Sequence, residues 1–220
     1  MIRDQGSVPA TRQFEWIVVG LCTWLMAGAY LDSWAHRHQT RLETFFTPWH
    51  AVLYSGMLAI LIFLAVSALR NQAGEHRPGQ VLPAGYGLSL LGCVLFGIGG
   101  VIDMFWHLRF GIEVSLAALV SPPHLLLMLA LGLIVTGPLR AAWRRPGSQA
   151  PLTAVISASL LLSMFTFFDQ FDQPLVNTWA IAQAAIPTTT RYLQELGILG
   201  IMVQTALLTG VVLYLLSRFT

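Results

Sequence analysis

Six stretches of this chain run fifteen residues or longer without a charged side chain: 17–31, 51–69, 81–102, 124–139, 151–168 and 196–217. That pattern leaves few choices of solvent. A helix needs roughly 17–25 residues to cross the hydrocarbon layer, and the two shorter runs reach that length once their flanking His, Trp and Asp residues are included. The composition agrees: 10% of residues are charged, where about a quarter is usual in soluble domains. The expected fold is all-α, a polytopic membrane bundle of six transmembrane helices forming one domain over residues 1–220.

The segment MIRDQGSVPATRQFE is polar, and no short apolar core with a small-residue cleavage site follows it, so a removable signal peptide is not expected. Cys22 and Cys93 both fall inside apolar runs and have no CxxC spacing, which indicates neither a disulfide framework nor a thiolate metal site. All basic residues are Arg. Without lysine, Schiff-base chemistry is excluded. A net charge of +2 gives no ground for a nucleic-acid partner; the expected partner is the lipid bilayer.

With six spans, Arg3, Arg12, Arg70, Arg77, Arg140, Arg144, Arg145 and Arg218 share one face, the last loop on that side covering 139–149. Arg37, Arg41, Arg109 and Arg191 lie on the other. The positive-inside rule then puts both termini in the cytoplasm, in a bacterial inner or plasma membrane. The acids run the other way. Asp32, Glu43, Asp103, Glu113, Asp169, Asp172 and Glu195 fall toward the extracytoplasmic face, with every His except His76. No further embedded acid is expected on the cytoplasmic half. Ionisable groups within a membrane are costly and mark function.

The stretch LDSWAHRHQTRLETFFTPWH joins the first run to the second and contains Asp32, His36 and His50. The stretch IDMFWHLRFGIEVSLAALVSPPH joins the third to the fourth and repeats the set as Asp103, His107 and His124. Residues i and i+4 share a helix face, so each Asp converges with its first His. The second His arrives in the first turn of the incoming helix, behind Thr47-Pro48 in one case and Ser121-Pro122-Pro123 in the other, both helix-start signals. A third, degenerate copy has Asp169, Gln173 and Arg191 in the corresponding places, with Gly197 six residues after Arg191 as Gly56 is after His50. The chain therefore reads as three helical hairpins, about 14–70, 81–140 and 151–218.

One carboxylate and two imidazoles make a three-ligand metal site with coordination positions left open. Imidazole-rich sites suit copper, zinc, iron or nickel. The bland alternatives are an Asp–His ion pair or imidazoles bonded to backbone carbonyls, and a bis-His haem is a further rival. His38 reads as a solvated interfacial residue, and Trp34, Trp49 and Trp106 as an aromatic belt. Glu43 and Glu113, with Asp169, Gln173 and Arg191, are candidates to support the ligands from behind. The glycines of the third run, Gly85 to Gly100, allow close helix approach and make a homo-oligomer plausible.

The order Asp32-x3-His36-x13-His50, then Asp103-x3-His107-x16-His124, resembles the C subunit of the particulate methane and ammonia monooxygenases over residues 24–135. That family carries an Asp-His-His copper site and an adjacent one with Asn in place of Asp; here the second copy has Asp and a longer second spacing. The resemblance implies copper at both sets, with zinc or iron as alternatives, and a monooxygenase-like oxidoreductase acting with O2 on a small or lipophilic substrate at the outer face. Two other functions use the same residues: copper or zinc binding and transport without catalysis, and a zinc-dependent membrane hydrolase with Glu43 or Glu113 as base.

Overall fold

The computed structural model describes residues 10–38, 45–73, 81–111, 119–145, 151–169 and 190–219, and there is no strand among them. The described helices are α1 (Arg12–His38), α2 (Pro48–Ala73), α3 (Gly87–Phe110), α4 (Pro122–Val135), α5 (Gly137–Arg144), α6 (Leu152–Phe168) and α7 (Thr190–Phe219). Four segments are long and apolar enough to cross a membrane: Arg12–His36, Pro48–Gln72, Gly87–Phe110 and Gly197–Ser217. The α4–α5 pair adds a fifth if its 43° bend is taken as one broken span. At 17 residues, Leu152–Phe168 is a shorter apolar helix. The chain is therefore an all-helical, membrane-type protein with four to five candidate spans among the described residues.

Contacts divide the chain into two units, Met1–Leu161 and Leu162–Thr220. In the first, α1 pairs closely with α2 and α3 with α4, and α2 meets α3. Lipid supplies no hydrophobic drive between helices, so close contact and hydrogen bonds hold them together. Small residues make that contact. A Cβ on Gly28 would lie 2.7 Å from the Leu53 α-carbon, and one on Gly56 3.0 Å from that of Leu25, so α1 and α2 touch backbone to backbone. Gly92 faces the Ala130 carbonyl of α4, Gly99 faces Leu127, and Gly100 faces Tyr54 of α2. The third-run glycines that suggested contact between copies are thus largely taken up inside one chain.

The break between α4 and α5 follows from Pro138, which lacks an N–H and crowds the carbonyl four residues back. The freed carbonyls still find donors, as backbone at membrane depth requires. Ser89 Oγ donates to the Ile134 carbonyl at 3.0 Å, Ser157 Oγ to that of Val135 at 2.6 Å, and Arg140 Nη2 to that of Leu133 at 2.9 Å. Arg140 also donates to the Gly85 carbonyl, to Ser89 Oγ and to Thr136 Oγ1. This corrects the expected 139–149 loop: the chain stays helical to Arg144, and Arg140 is a half-buried plug for the break rather than a loop charge.

A second correction concerns the acids. Glu15, in the first turn of α1, is buried. It forms an ion pair with Arg145 and accepts a 3.0 Å hydrogen bond from Thr153 Oγ1. A buried carboxylate thus sits at the opposite end of α1 from Asp32, one oxygen accepting from Thr153 and the other beside the Arg145 guanidinium. In the second unit, Asp169 accepts a 2.8 Å hydrogen bond from Gln204 of α7.

Candidate metal centre

Asp32 and His36 lie one turn apart near the end of α1, and His50 lies in the first turn of α2. Asp32 Oδ2 stands 3.6 Å from His36 Nε2 and 3.5 Å from His50 Nε2. The next hairpin repeats the arrangement. Asp103 Oδ2 is 3.4 Å from His107 Nε2, and Asp103 Oδ1 is 3.5 Å from His124 Nδ1. Within each trio, one ligand-capable atom per residue lies within 4.8 Å of the others. The imidazoles are crossed, at 88° for His36 and His50 and 77° for His107 and His124.

These separations exceed ordinary hydrogen bonds of about 2.7–3.2 Å. Two atoms each ~2.1 Å from a shared cation, at a tetrahedral angle, stand about 3.4 Å apart. The four Asp–His separations fall near that spacing. In addition, Asp32 Oδ1 and Asp103 Oδ1 are buried and have no hydrogen-bond partner among the described residues. An undonated buried carboxylate oxygen is costly, and a cation removes the cost. The donor set therefore fits a metal better than it fits a direct Asp–His ion pair.

Helix ends orient the rings. Thr47 Oγ1 accepts the His50 backbone N–H at 3.1 Å, capping α2, and contacts His50 Nδ1 at 2.9 Å. That leaves Nε2 for the Asp32 side. Gly111 ends α3 with a φ of +85°, a conformation that suits glycine, and its carbonyl accepts from His107 Nδ1 at 3.2 Å. A carbonyl only accepts, so Nδ1 carries the proton and the Nε2 lone pair faces Asp103. Ser121 sits at the N-cap of α4, but its hydroxyl bonds His124 Nδ1 at 2.8 Å instead of a backbone N–H. The two trios differ here: His124 turns its Nδ1 toward its Asp, where His50 turns Nε2.

The trios are neighbours within the first unit. Phe45 stacks on His50 with ring centres 4.6 Å apart, and its centre is 6.4 Å from that of His107. Tyr54, one turn beyond His50, lies in the same aromatic stack, 6.2 Å from His50 and 5.8 Å from Phe96. Phe45 and Tyr54 belong to neither Asp-His-His motif, although the i+4 spacing of Tyr54 from His50 is legible in the sequence. His38 is exposed, stacks on Trp34 and bonds its carbonyl at 2.8 Å, outside both trios.

Of the supporting candidates, Glu43, Glu113 and Gln173 lie outside the described residues. Arg191 falls in the first turn of α7, and within the second unit Asp169 has the Gln204 amide as partner. Comparison with protein-family models, curated proteins and solved structures gave no match.

Proposed function

We propose that this chain is an integral membrane metalloprotein that holds copper at Asp32, His36 and His50 and again at Asp103, His107 and His124, and acts as a monooxygenase-like oxidoreductase. One observation carries the reading: an Asp faces two crossed imidazoles at O–N spacings of 3.4 to 3.6 Å, and this occurs twice, each Asp also keeping a buried Oδ1 with no hydrogen-bond partner among the described residues. Three such ligands leave positions open, as catalytic sites do. Copper, when bound, supplies the one-electron chemistry that O2 activation requires. The chain's own residues supply the rest. Thr47, Ser121 and the Gly111 carbonyl fix the imidazoles, and the Phe45 and Tyr54 rings form an apolar wall beside His50.

In this reading the six apolar runs are six crossings, with α4–α5 one bent span and α6 a short one, arranged as a duplicated hairpin followed by a degenerate third. Both termini are cytoplasmic and the paired trios lie at the outer face. A transporter would need a polar route away from the trios; the embedded acid at the other end of α1, Glu15, is already paired with Arg145 and Thr153.

The test is metal analysis of purified protein. Wild type is expected to contain copper, with His36→Ala and His107→Ala each losing the ion of its own trio. Unchanged metal content in both variants removes the reading, and zinc in place of copper moves it to a hydrolase.

A further inference from the structure

A cleft of about 680 Å³ opens between α2 and α3 beside His50 of the first trio. Its walls include Phe45, His50 and Tyr54 on one side and Gly97, Gly100 and Val101 on the other. The volume lies within the roughly 300–1,000 Å³ of small-molecule sites, and both helices are membrane-span candidates.

Among the described residues no acid or arginine lines the cleft. His50 is the one titratable imidazole there, and both its nitrogens are directed elsewhere, Nδ1 to Thr47 and Nε2 toward Asp32. What it offers with its neighbours is an aromatic wall: Phe45, His50 and Tyr54 lie within 24° of parallel in the two pairs that include His50. A charged occupant would lose its hydration with nothing in return. A flat apolar ring gains contact with three aromatic side chains.

Space is kept open by glycine. A Cβ at Gly100 would strike the Tyr54 ring, so Gly100 lets Tyr54 lie flat against α3. Gly97, one turn earlier, is different: a Cβ there meets nothing within 4 Å. Among the described residues no packing contact calls for glycine at 97, in a helix interior where glycine is unfavourable by about 0.5–1 kcal/mol relative to alanine. Its effect is to leave the cleft unfilled.

We propose that this cleft binds an uncharged, ring-bearing apolar molecule drawn from the bilayer, seated against the Phe45, His50 and Tyr54 rings. As the substrate class of the metal pair it rests on the function proposed above; as a binding site it stands on the cleft's own geometry.

The test uses 5-iodonaphthyl-1-azide, an apolar aromatic photolabel, on the full chain in phosphatidylcholine vesicles. Peptide mass spectrometry reads labelling over residues 45–57 and 97–104. Labelling is expected to saturate and to fall about tenfold, equivalent to about 1.4 kcal/mol, with excess naphthalene but not with tetradecane. Gly97→Phe should reduce it similarly while copper per chain stays at the wild-type level, and Gly97→Ala should leave it unchanged. Labelling that rises linearly without competition overturns the proposal, because the cleft then only meets lipid. Equal competition by tetradecane overturns it in favour of an acyl chain. Should Gly97→Phe fail to fold, the wild-type competition decides alone. Saturable labelling of a chain that binds no metal removes the metal reading and keeps the cleft; copper with unsaturable labelling does the reverse.

Discussion

The ring of Tyr54 lies against the backbone of Gly100, so close that a Cβ at 100 would overlap its phenol. This contact brings α2 and α3 together one turn from His50 and three residues before Asp103, and so sets how the two trios face each other. Gly100→Ala is expected to destabilise the chain by about 1–3 kcal/mol through overpacking. Gly97→Ala, where the added methyl meets open space, should be neutral or stabilising by about 0.5–1 kcal/mol. Unfolding titrations in mixed micelles compare the two, and equal effects would show that Tyr54 yields freely.

Thr47 has two tasks, capping α2 and bonding His50 Nδ1. Thr47→Val removes both without much change in volume. Stability should fall by about 1 kcal/mol, the usual worth of an N-cap. Affinity at the first trio should weaken by about 10–100-fold, as for other lost partners of ligating imidazoles. Metal titration of the wild type and the variant separates the trios, since the second should keep its affinity.

Arg140 answers the helix break with a fork of donors reaching Gly85, Ser89 and Leu133. Arg140→Met should cost about 1–3 kcal/mol, because buried hydrogen bonds in membranes are worth about 0.6 kcal/mol each and up to about 1.7. Arg140→Lys should recover only part of that, since a single ammonium does not reproduce the fork. Thermal unfolding in detergent ranks the three proteins, and a lysine variant as stable as wild type would refute the plug.

Glu15 and Arg145 form the one ion pair between an acid and an arginine among the described residues that joins the start of α1 to the chain after α5. Glu15→Gln keeps an acceptor for Thr153 and should be milder than Glu15→Ala, which leaves both Thr153 and Arg145 without it. A double-mutant cycle with Arg145→Gln should give a coupling of about 0.5–3 kcal/mol, the range for residues in direct contact. A coupling near zero would mean that water screens the pair.

Much of the site was legible because helix geometry is local. The i,i+4 spacing of Asp32 with His36 and of Asp103 with His107 places each pair on one face in any helix. Thr47-Pro48 and Ser121-Pro122 fix where the next helix begins, and so where His50 and His124 enter. The apolar runs likewise fixed an all-helical membrane chain, since lipid allows the backbone no unpaired alternative. The sequence alone could not say which nitrogen of each imidazole turns to its Asp, that Phe45 and Tyr54 would wall the site, or that the fourth run would break at Pro138 with Arg140 answering its carbonyls. It also missed the burial of Glu15, whose partners Arg145 and Thr153 are more than a hundred residues away. Those outcomes depend on side chains from different helices meeting. A spacing rule reads one helix at a time; the crossing of helices, set by where glycines let backbones touch, decides the rest.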